Sequence, residues 1–203
     1  MVDGRNKVRH KIFCIIGKSG TGKDTLYREL LNDGALPFER LVPCTTRPVR
    51  VGEKDGREYY FYTVDEMQAL DRAGRIIESR CYETVHGPWY YFTADDGQIN
   101  LDAHSTLLIG TLESYVALRG YYGADKVVPI YVEVEDGERL QRALDRERSE
   151  KQPKYRELCR RFRADCEDFS EEKIAEAGIT KRFYNDDLQR CRREIEEYLT
   201  EMM

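Results

Sequence analysis

Residues 11–34 read KIFCIIGKSGTGKDTLYRELLNDG, and this stretch decides the fold. KIFCIIG (11–17) is a short apolar run ending in glycine, the pattern of a strand buried on both faces. DTLYRELLNDG (24–34) places Leu26, Leu30 and Leu31 on one helical face and stops at Gly34. Between them lies a glycine loop that nearly completes G-x-x-x-x-G-K-[S/T]. In such a loop the glycines let successive backbone N–H groups turn inward around phosphate oxygens, and the following helix offers its positive end to the same anion. Gly17, Gly20 and Gly22 supply that backbone together with Ser19 and Thr21, and Lys23 supplies a mobile cation. The hydroxyl position is occupied by Asp24, with Thr25 one place later.

Working outward, STLLIG (105–110) and VVPIYVEV (127–134) read as further buried strands, with the amphipathic LESYVALRGYYG between them. Alternation of this kind predicts an α/β domain with a parallel sheet and crossover helices. Residues 42–95, rich in Tyr, Thr, Gly and Arg, break the rhythm and predict a small strand-rich insertion with a helix near VDEMQALDRAG. After residue 135 the chain is densely charged and helix-forming, interrupted at Pro153, which predicts a hinged helical pair. ITKRFYNDD then predicts a last strand and LQRCRREIEEYL a closing amphipathic helix.

A chain of 203 residues is long enough for one substantial core, and its 40% hydrophobic and 35% charged residues describe a soluble globular domain. A net charge of -5 argues against a broad nucleic-acid footprint. The six cysteines form no C-x-x-C pair and have no histidine at zinc spacing, so free thiols in a reducing cytoplasm are expected. The polar start MVDGRNKVRHK, followed only by IFCII, has neither a secretory apolar region nor a membrane span.

Beyond the glycine loop, TTRPVRVGEKDGREYYF (45–61) resembles the guanylate kinase signature T-T-R-x-x-R-x-G-E-x-x-G-x-x-Y, and FYNDDL (183–188) resembles the terminal N-D-D-L of that family. With GKSGTGKDTL (17–26) these motifs occur in the family's order across nearly the whole chain. The resemblance implies a P-loop NTPase fold, three layers α/β/α around a parallel core sheet, with a strand-rich NMP-binding insertion and a helical lid. The expected division is core at 10–41, 97–135 and 170–203, acceptor-binding part at about 42–96 and lid at about 136–169. It further implies an ATP- and Mg²⁺-dependent kinase acting on a small nucleotide, as monomer or homodimer, with no nucleic-acid or membrane partner.

Carried over by motif, the resemblance puts Arg47, Arg50, Tyr59 and Tyr91 on the acceptor phosphate, where guanidinium forks suit a group that must be held in line for attack. Glu78 and Thr93 fall near the acceptor base, although Glu78 read by itself is equally a solvated acid at a helix end. Arg142 and Arg146, at i and i+4, match the lid pattern, and either Arg161 or Arg160 follows from the next helix, Arg161 being the choice. Phosphoryl transfer is catalysed mainly by positioning and charge neutralisation, which is the work of such arginines and of Lys23. Asn185 matches a residue near the donor adenine, with a turn-forming Asn as the plainer alternative. His86 and Trp89, in extra residues before YYFT, read either as acceptor-pocket lining or as packing.

The sequence also departs from the family. Where the family ends a strand in D-x-D, Gly110 and Leu112 stand, and Pro43 and Cys44 replace small hydroxyl residues. Two like charges about 4 Å apart cost on the order of 4 kcal/mol at an effective dielectric near 20, far above the roughly 0.3–1 kcal/mol an acid gains at a helix start. Asp24 beside phosphate therefore makes sense with a hard cation between them, and it is the expected metal-side carboxylate. Two other readings stay open: a non-catalytic module that holds phosphorylated ligands, and a kinase of ribose bisphosphate.

Overall fold

The computed structural model describes residues 10–34, 36–84 and 87–203. Strand β1 (Ile12–Ile16) runs into the glycine loop and then helix α1 (Lys23–Asn32), as the opening stretch predicts. Strands β2 (Phe38–Arg40), β7 (Ser105–Ile109), β8 (Val127–Glu133) and β9 (Arg182–Tyr184) join β1 in one sheet, ordered β2-β7-β1-β8-β9, with every pairing parallel. Strand β1 is therefore central, and all five of its residues are buried.

Helices cover both faces, because successive β1 side chains point to opposite sides. Ile12, Cys14 and Ile16 pack with Leu112, Tyr115 and Leu118 of α3 (Leu112–Tyr122) and with Phe169 and Ile174. Phe13 and Ile15 meet Leu26 and Leu30 of α1 and Cys191, Ile195 and Leu199 of the closing helix α7 (Leu188–Met202). Each fully buried leucine or isoleucine contributes about 1.5–3 kcal/mol, so these two layers fix α1, and with it the glycine loop, on the sheet.

A second sheet, ordered β4-β3-β6-β5, is built from β3 (Cys44–Thr45), β4 (Tyr60–Phe61), β5 (Ile76–Thr84) and β6 (Gly87–Ala94). It has its own small core of Cys44, Met67, Phe92 and Ala94. Met67 comes from α2 (Val64–Arg72), which starts at a capping box between Thr63 and Glu66. The charged region forms α4 (Asp136–Ser149) and α5 (Tyr155–Asp168) on either side of Pro153, followed by the short α6 (Glu171–Glu176). Strand β2 and α6 were not expected from the sequence, the first being three residues at a sheet edge and the second six residues behind the Ser170 cap. All six cysteines are free thiols.

Candidate functional site

The glycine loop is held from below by buried polar contacts. Gly22 is the N-cap of α1 at φ 83°, and a Cβ there would lie 2.4 Å from the Asn185 amide nitrogen. Only glycine meets both conditions. That same amide donates to the Thr21 carbonyl at 2.8 Å, and the Asn185 side chain is 3% exposed. Asn185 thus braces the loop from beneath, a role that its place in the N-D-D-L motif did not suggest. The Thr21 hydroxyl donates to the Lys18 carbonyl at 2.9 Å, and Lys23 Nζ folds back onto the same carbonyl at 3.3 Å. Burial pulls the Lys23 pKa down, against the nearby carboxylates of Asp24 and Asp165. Asp24 itself is exposed in the first turn of α1, with Thr25 half-buried beside it.

Helices α4 and α5 close over the other side of the loop. Arg161 donates to the Ser19 hydroxyl at 3.3 Å, whereas Arg160 forks onto Glu157 at 2.7 and 2.8 Å and points away. Arg146 and Arg161 line a cavity of about 260 Å³ that opens on Ser19. Arg142 bonds Glu138 at 3.0 Å and the Asn185 carbonyl at 3.2 Å, one step behind the loop.

Two residues that the sequence reading missed organise this contact. Arg139 is 1% exposed; it donates to the Ser19 carbonyl at 3.1 Å, to Asp165 at 3.2 Å and to Asp136 at 2.9 and 3.0 Å. Its guanidinium also lies 4.2 Å over the Phe162 ring. Asp165 accepts the Ser19 backbone N–H at 2.8 Å. Their only sequence signal is charge in a segment where Arg and Glu alternate throughout, which cannot separate a buried arginine from a solvated one.

On the second sheet, Arg47 is 3% exposed and its fork is bound to Glu53 at 2.7 and 2.6 Å, with a further bond to the Pro48 carbonyl. It stacks 4.9 Å from the Tyr59 ring centre and 5.5 Å from that of Phe61. Arg47 and the Arg50 backbone N–H together hold the Glu53 carboxyl at about 2, well below its ordinary 4.5. Arg50 itself is exposed. Tyr59 and Tyr91 meet edge to face with centres 5.7 Å apart. Glu78 belongs to strand β5 rather than a helix end, and accepts the Thr93 hydroxyl at 3.0 Å, with Arg80 Nε 3.4 Å away on its other oxygen. Trp89 lies in β6, and His86 falls outside the described residues.

A cleft of about 600 Å³ lies between the glycine loop and the β5–β6 hairpin, lined by Ser19 and Lys23 of the loop, by Arg80 and Tyr82 of β5, and by Gly110, Leu112 and Val116. This lining explains one missing acid: a Cβ on Gly110 would lie 2.8 Å from Cys14 Sγ and 3.3 Å from Ser114 Cβ. Among the described residues no group of three or more His, Cys, Asp and Glu gathers to hold a metal. Mg²⁺ needs no such cage, since it commonly keeps its waters and takes one or two carboxylates with substrate phosphates. The exposed Asp24 beside the loop fits that requirement. Among the described residues no helix is long and apolar enough to cross a membrane.

Comparison with known proteins places this arrangement among relatives. The sequence model of the guanylate kinase family matches residues 9–91, covering the glycine loop and all of the second sheet but the end of β6. The guanylate kinase of Porphyromonas gingivalis is 26% identical over 95% of this chain and 98% of its own length. That of Ralstonia nicotianae is 44% identical, but over 39% of this chain and 34% of its own length. Among solved structures, the guanylate kinase of Anaplasma phagocytophilum superposes with a TM-score of 0.60 at 24% identity, over 97% of this chain and 88% of the other.

Proposed function

We propose that this chain is a member of the guanylate kinase-like family and transfers the γ-phosphoryl group of ATP to a nucleoside monophosphate, with GMP the first acceptor to expect. The observation that supports this best is the common cleft, which faces Lys23 and Ser19 of the glycine loop toward the hairpin bearing Glu78, Arg80 and Tyr91. Donor and acceptor phosphates bound on those two walls would be held facing each other across the cleft, and positioning of that kind is most of phosphoryl-transfer catalysis.

In this reading the backbone amides of the loop cradle the donor phosphates and Lys23 follows the moving charge, its long stem already able to fold onto the loop. Arg146 and Arg161 come from the lid, about 136–169, and neutralise the transferred group; Arg142, held to the Asn185 carbonyl, lies on the donor's nucleoside side. Asp24 is the carboxylate toward Mg²⁺, which when bound shields the donor phosphates and lets an acid sit beside them. In the acceptor part, about 42–96, Arg50, Tyr59 and Tyr91 hold the phosphate, while Arg47 acts mainly by fixing Tyr59 and Glu53. Thr93 holds one oxygen of Glu78, and the remaining lone pairs can take the N1–H and N2–H of guanine.

The reading of a non-catalytic phospho-ligand module and that of a ribose bisphosphate kinase find no support in the comparisons. A binding module would also have no use for Lys23 and Arg161 converging on the loop. Six free thiols suit a reducing compartment, and we place the protein in the cytoplasm. The test is a coupled assay of ADP formation with ATP and Mg²⁺ across GMP, dGMP, AMP, UMP, CMP and ribose bisphosphate. Turnover led by GMP or dGMP is expected; absence of turnover with every acceptor would overturn the enzyme reading.

A further inference from the structure

The hairpin of β5 and β6 is a ladder on which alternate residues face the cleft. Glu78 stands opposite Thr93, Arg80 opposite Tyr91 and Tyr82 opposite Trp89, while the intervening Phe92, opposite Ser79, points into the small core behind. If the Glu78–Thr93 rung meets the acceptor base and Tyr91 meets its phosphate, Arg80 stands on the phosphate rung. The motif signature assigns no role to this position.

Arg80 adds a second cation there, beside the exposed Arg50. Arg47 is buried with its fork filled by Glu53, so its charge is already compensated. Arg80 lines the cleft with Lys23 and Ser19, and its side chain is 31% exposed. Its one ion pair among the described residues is the Nε contact with Glu78 at 3.4 Å, and that nitrogen is a buried donor without a hydrogen-bond partner. The Tyr59 hydroxyl senses the same charge: burial and Tyr91 push its pKa up, and the guanidinium groups of Arg47 and Arg80 draw it back.

We propose that Arg80 is a binding residue for the acceptor phosphate, its guanidinium joining Tyr59 and Tyr91 on one side and facing the glycine loop on the other. The proposal rests on the acceptor reading given above. The pairing with Glu78 orients the Arg80 stem through Nε and leaves the terminal fork to meet two phosphate oxygens, the geometry that a guanidinium matches best.

The test separates phosphate from base. Calorimetric affinities are measured for GMP, dGMP, AMP, UMP and CMP and for the corresponding nucleosides, with the full chain, Arg80→Met and Arg80→Lys, each checked for its thermal midpoint. Loss of one charge-assisted fork weakens monophosphate binding about 10- to 100-fold in Arg80→Met and leaves nucleoside affinity unchanged. Arg80→Lys, which keeps the charge without the fork, falls between, and it decides the matter if Arg80→Met does not fold. Equal loss for monophosphate and nucleoside would make Arg80 a structural residue and overturn the proposal, as would unchanged monophosphate affinity in both variants. A wild-type chain that binds none of the five monophosphates would overturn the acceptor reading itself and this proposal with it.

Discussion

Single residues here answer to space and charge. Gly110 is fixed by Cys14: Gly110→Asp, which restores the family's acid, pushes a side chain into a thiol 2.8 Å from its Cβ and costs about 1–3 kcal/mol in urea unfolding. Adding Cys14→Ala removes the obstructing sulfur and recovers part of that loss; no recovery would mean that the obstruction lies elsewhere. The Arg47–Glu53 pair makes a pH prediction. Glu53 titrates at about 2 in the folded chain against 4.5 ordinarily, so its stabilisation is complete above about pH 4.5 and disappears as pH falls through that window toward 2. Thermal midpoints measured from pH 6 to 2 should fall less steeply in Glu53→Gln than in the parent. An identical slope would remove Glu53 from the account of acid sensitivity. Asp24→Ser should raise the Mg²⁺ needed for half-maximal binding of a fluorescent ATP analogue by about tenfold, with acceptor affinity unchanged.

Between elements, the contact of α4 and α5 with the glycine loop runs through Arg139. Removing it leaves Asp165 and Asp136 without their main partner. Because both carboxylates keep some water, Arg139→Leu should cost about 3 kcal/mol, the low end for a broken buried pair. Chemical denaturation checks this, and a change under about 1 kcal/mol would put Arg139 among ordinary surface arginines. The elements themselves were largely legible in the sequence. The apolar runs of β1, β7 and β8, the glycine loop and the leucine face of α1 are local patterns, and each folds as its periodicity predicts. Strand β2 and α6 were not legible, since a three-residue edge strand and a six-residue helix carry no periodicity. The buried arginine and its two aspartates were hidden for a related reason: burial in α4 and α5 depends on what packs against them, and a charge-rich helix does not record that in its own sequence.

For the whole molecule, the parallel sheet carries the phosphate-binding loop at the end of its central strand, and the second sheet presents a ladder of polar groups across a cleft of about 600 Å³. The order of three motifs made this architecture readable from the chain, but the division of labour among arginines was not. Of the two motif arginines, Arg47 is buried against Glu53 and Arg50 is exposed, while Arg80, outside the motif, faces the cleft. That difference is one of side-chain partners, and only the folded arrangement sets them. The central claim is that one cleft brings a donor γ-phosphoryl group to an acceptor monophosphate. It is tested most directly by ³¹P NMR of ATP, Mg²⁺ and GMP incubated with the chain. ADP and GDP should appear in equal amounts with no inorganic phosphate; ADP accompanied by inorganic phosphate, or an unchanged ATP spectrum, would rule out transfer between the two nucleotides.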